Sequence, residues 1–175
     1  MNPKIRINNN LLSEADIMAL DWSTSTQPKQ DKFESASQAE RDQMKRLFNQ
    51  MGITAYTFTD SAGFDRYDGK YTGKTGNEYV FEIKNRQVPS DTYITTLIDA
   101  DKVEAVINES KKSKHKPALF FFFEDNKVMY QPLSVDQYYQ TTTMNIKKTT
   151  MGDTTKRNKT MIEFKINNEK LITLK

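Results

Sequence analysis

Glu82 and Lys84 stand two residues apart in Tyr79-Val80-Phe81-Glu82-Ile83-Lys84-Asn85-Arg86, a stretch whose aromatic and β-branched content predicts a strand. The strand period of two puts both side chains on one face. Asp68 precedes them by about the length of a hairpin. Two carboxylates on neighbouring strands with an ammonium beside them can hold a divalent cation against a phosphodiester. Cleaving that ester requires an activated water, relief for a highly charged transition state and a leaving oxygen whose charge is neutralised. Mg²⁺ meets these needs with few protein ligands, because it keeps several waters and takes one or two carboxylates plus the substrate phosphate. Lys84 would orient or deprotonate the water, or stabilise charge accumulating on phosphorus.

The elements that must position these groups are legible around them. Met44, Leu47, Phe48 and Met51 recur at helical spacing, with Ser37 ahead as a cap and Gly52 just past the end. Residues 53–59 read as a strand, Ser61-Ala62-Gly63 as a turn, residues 66–72 as a second strand, and Gly73-Lys74-Thr75-Gly76 as the turn into the strand that carries Glu82. After Pro89, Leu97, Ala100, Val103, Val106 and Ile107 predict a helix over residues 93–110. Residues 118–123 are too short for a helix and apolar on both faces, as in a strand buried mid-sheet, and residues 128–133 follow as its neighbour. Residues 134–160 are rich in Thr and Lys, and 161–166 form a last alternating strand.

Tyr67-Asp68-Gly69-Lys70-Tyr71-Thr72, the turn, and Glu82-Ile83-Lys84 together resemble the PD-(D/E)xK nuclease superfamily. The order of elements over residues 37–123 agrees with its restriction-endonuclease-like αβββαβ core, an α/β fold with a mixed central sheet flanked by helices. The resemblance implies a metal-dependent nuclease that hydrolyses DNA phosphodiester bonds. It implies Mg²⁺ (or Mn²⁺) held by Asp68, Glu82 and the backbone carbonyl of Ile83, with Lys84 as base or stabiliser. Glu40 matches a helical glutamate that reaches the metal through water in many members, and Lys102 matches a basic residue that faces the site from the second helix. The small stand-alone members of bacteria and phages, some similar to Holliday-junction resolvases, are the nearest in kind, which makes the chain phage-like. The proline of the family name is absent before Asp68.

Simpler roles compete for several of these residues. Asp65 rivals Asp68: pairing Thr72 with Asn77 sets Asp65 against Lys84, whereas a shift of one residue sets Asp68 against Glu82 or Val80. The Tyr-Asp-x-x-aromatic pattern favours Asp68. Ser37-x-x-Glu40 fits a capping box, in which Glu40 would turn back to the cap. Lys102 could be an ordinary solvated helix residue. Arg86, and Lys147, Lys148, Lys156, Arg157 and Lys159 set among threonines, could follow a phosphate backbone without reading bases. The Lys111–Lys116 run suits a helix exit, and His115 is assigned no role. Gly73-Lys74-Thr75 fails as a phosphate loop, because the glycine required five positions earlier is Asp68 and a strand follows where a helix is needed.

Composition bounds the rest. A chain of 175 residues suits one domain, read as an N-terminal arm (1–36), a nuclease core (37–133) and a basic C-terminal extension (134–175) with a final strand packed on the same domain. Without cysteine and with one histidine, thiolate nucleophiles, Cys/His zinc sites and disulfides are excluded. The net charge of +3 confines nucleic-acid contact to local clusters. The longest apolar run, 118–123, is far below the roughly 20 residues that span a bilayer, so the expectation is a cytoplasmic protein of a bacterial or phage-infected cell, with no membrane contact and no signal peptide. DNA is the expected partner, and a homodimer is left open. A catalytically inactive nucleic-acid-binding or assembly protein on the same fold is the alternative, and a plain α/β interaction module the third.

Overall fold

The computed structural model describes residues 6–7, 10–11, 27–60, 65–147 and 155–175. The chain divides into two compact units, Met1–Ser35 and Ala36–Lys175. In the first, β1 (Arg6–Ile7) pairs antiparallel with β2 (Asn10–Leu11). The first helix runs Gln27–Met51, so it begins about ten residues before the expected Ser37 cap and takes in the last ten residues of the expected arm. Pro28 sits in its first turn, where a missing N–H leaves no bond unmade. Ser37 is therefore inside the helix, and the capping-box role for Glu40 falls away.

In the second unit a six-stranded mixed sheet has the order β11-β8-β7-β5-β4-β3, with β3 at Tyr56–Phe58, β4 at Gly69–Thr72, β5 at Glu78–Arg86, β7 at Lys116–Phe123, β8 at Lys127–Pro132 and β11 at Ile172–Thr173. β5 and β7 are parallel and the other pairs antiparallel. The parallel pair requires a crossover, which the second helix (Ala100–Ser113) supplies. Residues 93–99 do not join that helix. Thr95–Asp99 is a strand, β6, pairing with β10 (Lys156–Lys165), which also pairs with β9 (Thr141–Lys147) in a three-stranded sheet. Leu97 fits the helical stripe by spacing, but the β-branched Thr95, Thr96 and Ile98 find a distant partner in β10, and non-local pairing overrides the local period.

β7 explains the layering. Its alternate residues Phe120 and Phe122 join Met44, Leu47 and Phe48 of the first helix, with Phe81 and Ile83 of β5, in one core. Leu119, Phe121 and Phe123 join Val80 of β5, Val103 and Val106 of the second helix, and Ile162 and Phe164 of β10 in the other. The sheet is thus covered by a helix on each face, which is why β7 is apolar on both. No helix among the described residues is long and apolar enough to cross a membrane.

The hairpin register bears on the site. Thr72 lies opposite Glu78 and Gly69 opposite Phe81, and continuing the ladder by one residue brings Asp68 opposite Glu82. Gly69 permits this close start of β4, since a Cβ there would lie 2.3 Å from the Thr57 carbonyl oxygen and 2.7 Å from the Phe81 ring. Gly69→Ala is accordingly expected to cost about 2 kcal/mol through overpacking against backbone, read as a lower urea midpoint at unchanged m-value; a neutral result would show that the β3–β4 spacing can relax.

Candidate active site

Asp68 sits where the antiparallel ladder stops. Its N–H donates to the Phe81 carbonyl at 2.9 Å, and its own carbonyl accepts from the Thr59 N–H at 2.9 Å. Beyond this point β5 continues without β4 beside it, and the exposed backbone edge must find other partners. Two carboxylates supply them. The Ile83 N–H donates to Asp68 Oδ2 at 2.6 Å, and the Asn85 N–H donates to the Glu40 carboxylate. In a strand the N–H and C=O of one residue point to the same side, so the Ile83 carbonyl faces this vacated edge between the two carboxylates. Arg41, next to Glu40 on the first helix, donates from Nη2 to the Thr59 carbonyl, stands over the Phe58 ring and adds positive charge near Asp68.

Glu82 lies on the face of β5 that the second helix covers, reaches Lys102 of that helix, and is only 4% exposed. Its Oε1 lies 2.8 Å from Lys102 Nζ, while Oε2 is buried with no hydrogen-bond partner. Burial, and then the charge of Asp68, push the Glu82 carboxyl up to about 8 against the opposing pull of Lys102 and Lys84. Asp68 is raised by burial, with the Ile83 N–H the chief opposing influence and the charges of Lys102 and Arg41 acting in the same sense. Two carboxyls so placed are satisfied together only with a proton or a cation between them. Glu40 is raised by burial and by Asp68, with Lys84, the Asn85 N–H and Lys102 working against it. For Lys102, burial disfavours the charge, but Glu82, Asp68 and Glu40 outweigh it and its pKa is raised. Three carboxyls and two lysines are therefore in mutual electrostatic reach, an arrangement that apolar side chains of similar size would replace with little or no loss of stability.

These groups suit a hard cation. The available donors are all oxygen: the unpartnered Oε2 of Glu82, the Asp68 carboxylate and the Ile83 carbonyl, with neither thiolate nor imidazole among them. No group of three His, Cys, Asp or Glu side chains converges on one metal position among the described residues. Mg²⁺ does not need three, since waters and a phosphate complete its shell.

The remaining expected residues are dispersed. Asp65 is exposed and lies off the ladder, lining a separate cleft with Arg66, Asp101 and Glu104. Arg86 is half-buried: its Nε donates to Thr96 Oγ1 at 2.7 Å and its Cζ lies 5.5 Å from the Phe121 ring centroid, which ties β5 to β6. Lys159 Nζ pairs with Asp99 at 2.8 Å and its side chain is only 11% exposed, so that cation is already spoken for. Arg157 and Lys159 share a cleft of about 420 Å³ with Lys102 and Arg66, and Lys156 is exposed nearby on the same strand. The β9–β10 register sets Lys147 opposite Lys156, while the Lys147 side chain and all of Lys148 lie outside the described residues. His115 faces Glu78 at 3.3 Å, at the start of β5. Sequence reasoning overlooked Arg41, whose one signal was its position next to Glu40, and overlooked a cleft of about 900 Å³ that Glu40, Lys84 and Arg86 share with Tyr93.

No family model and no curated protein sequence matches the chain. Among solved structures it is similar to a Holliday junction resolvase from the archaeal hyperthermophile Archaeoglobus fulgidus, at 15% identity and a TM-score of 0.44, over 73% of this chain and 84% of that one.

Proposed function

We propose that the chain is a divalent-metal-dependent nuclease acting on DNA, with Asp68, Glu82 and the Ile83 carbonyl holding Mg²⁺ or Mn²⁺ and Lys84 serving the attacking water. The observation that carries this reading is the orphaned Oε2 of Glu82, buried beside Asp68 at the point where β4 ends. A buried carboxylate oxygen with no donor is costly, and a bound cation would remove that cost. When bound, the cation supplies Lewis-acid stabilisation of phosphoryl charge and a more acidic water.

The chain's own residues do the remainder. The Ile83 N–H fixes the Asp68 carboxylate, and the Asn85 N–H fixes Glu40, which can receive a proton or orient a water at the rim. Lys84, two residues beyond Glu82 on the same face, brings a positive charge toward a scissile phosphate and can orient the nucleophile. Lys102 holds Oε1 of Glu82 and so directs the second oxygen. Exposed Lys156 and Arg157 offer sequence-independent contacts to the phosphate backbone.

The direct test is cleavage of labelled single-stranded, duplex and branched DNA with Mg²⁺ or Mn²⁺. We expect cutting that chelator abolishes and that Asp68→Asn reduces by at least about 10²-fold with the thermal melt intact. DNA that is bound but never cut under either metal would favour the inactive binding protein instead.

A further inference from the structure

From the cleft that runs past Lys84, we infer that the substrate must present an unpaired nucleotide next to the cut: a base is received on Tyr93 while its phosphate lies toward Lys84 and Arg86. This rests on the nuclease reading and names the class of DNA that site would accept.

The cleft, about 900 Å³, falls in the range of roughly 300–1,000 Å³ typical of sites that enclose small organic groups. It is lined by Lys84, Asn85 and Arg86 from the end of β5, by Glu40, and by Tyr93. The lining thus offers the two kinds of group a nucleotide needs, cations for its phosphate and an aromatic ring for its base. Arg86 lines the cleft with its side chain held by Thr96 and the Phe121 ring, which fixes its charge there.

The segment that carries Tyr93 is unusual. Tyr93 is 64% exposed and its neighbour Ile94 is 81% exposed, two of the most exposed large hydrophobic residues among those described. Adjacent apolar side chains left in water usually sit on segments with little to hold them. Here the segment is fastened at both ends. Ser90, fully buried, donates to Asp125 from its N–H at 3.1 Å and from its hydroxyl at 2.7 Å, and Lys127 Nζ donates to the same hydroxyl at 3.2 Å. The Val88 carbonyl accepts from the Glu124 N–H, and the Ile94 carbonyl accepts from the Ile166 N–H at 2.9 Å. A ring presented on a pinned backbone loses little entropy when a flat partner stacks on it. Nucleobases are such partners, and every base has a π-face to offer. In a duplex those faces are already covered by neighbouring base pairs, so only an unpaired base can use the ring.

Binding separates this inference from the catalytic one. Anisotropy of the full chain without divalent cation would compare a labelled thymidine-rich single strand, the same strand with abasic sites and a fully paired duplex. The parent should bind the intact strand about tenfold more tightly than the abasic strand, the usual scale of one base–aromatic stack. Tyr93→Ala should erase that difference, Tyr93→Phe should keep it, and duplex affinity should be the same for all three. Ile94→Ala provides a second exposed-site variant, and unchanged thermal melts would show that the fold is intact. If Tyr93→Ala and Ile94→Ala bind the intact strand as the parent does, or lose duplex affinity equally, the unpaired-nucleotide inference is overturned while the nuclease reading stands. If the parent binds no DNA of any form, both are lost.

Discussion

Lys84→Ala is expected to slow metal-dependent DNA cleavage by about 10²–10⁴-fold in single turnover, the range spanned by a positioned catalytic group. The reasoning is geometric. Lys84 and Glu82 share a face of β5, Lys84 is only partly buried, and it lines the cleft along with Glu40. A charge placed there acts on whatever occupies the end of β5, and no other lysine lines that cleft among the described residues. Lys84→Arg should restore little, since the longer, planar guanidinium keeps the charge but presents its donors in a different geometry from an ammonium. Glu82→Ala should cost a similar factor, and the double variant little more than either alone, because groups acting as one unit lose function together. Additive losses would mean that the two act independently, and an active Lys84→Ala would remove it from the mechanism.

The second large effect is on stability. In the folded chain the Glu82 carboxyl is raised to about 8 from an ordinary 4.5, first by burial and then by Asp68. The folded state therefore holds a proton that the unfolded chain gives up. For a carboxyl raised in this way, the stabilising contribution is complete below pH 4.5 and is lost as pH rises through about 8. The loss across that window is on the order of a few kcal/mol. Asp68 and Glu40 are shifted in the same direction and steepen its acid end. Urea midpoints of the metal-free protein should fall between these limits. Glu82→Gln, which keeps a carbonyl for Lys102 without the ionisation, should flatten the fall. Adding Mg²⁺ should restore stability in the upper part of the window, where the cation takes the proton's place. Identical pH profiles for parent and Glu82→Gln would show that the carboxyl is not held in this environment.

Much of the architecture was readable before any coordinates. Alternation placed Glu82 and Lys84 on one face of β5, the apolar run marked β7 as covered on both sides, and the Gly73–Gly76 turn fixed a hairpin. Each of these signals is local: a side chain's direction relative to its own strand follows from backbone geometry, and a turn from the residues within it.

What neighbours what did not follow from such signals. Which aspartate faces Glu82 hung on a one-residue register that the sequence left open, and the observed ladder, with Gly69 against Phe81, sets Asp68 opposite Glu82. The first helix extends well ahead of Ser37, and Thr95–Asp99 pairs with β10 instead of opening the second helix, because contacts distant in sequence outweighed local caps and spacing. Lys102 reads equally well as a solvated helix residue until the crossover carries it to Glu82. Residue types alone established that two carboxyls and a lysine were available for metal chemistry. Only the tertiary structure made them unusual, because a carboxyl's proton affinity is set by the low-dielectric packing and the charges around it, and those are brought by elements far along the chain.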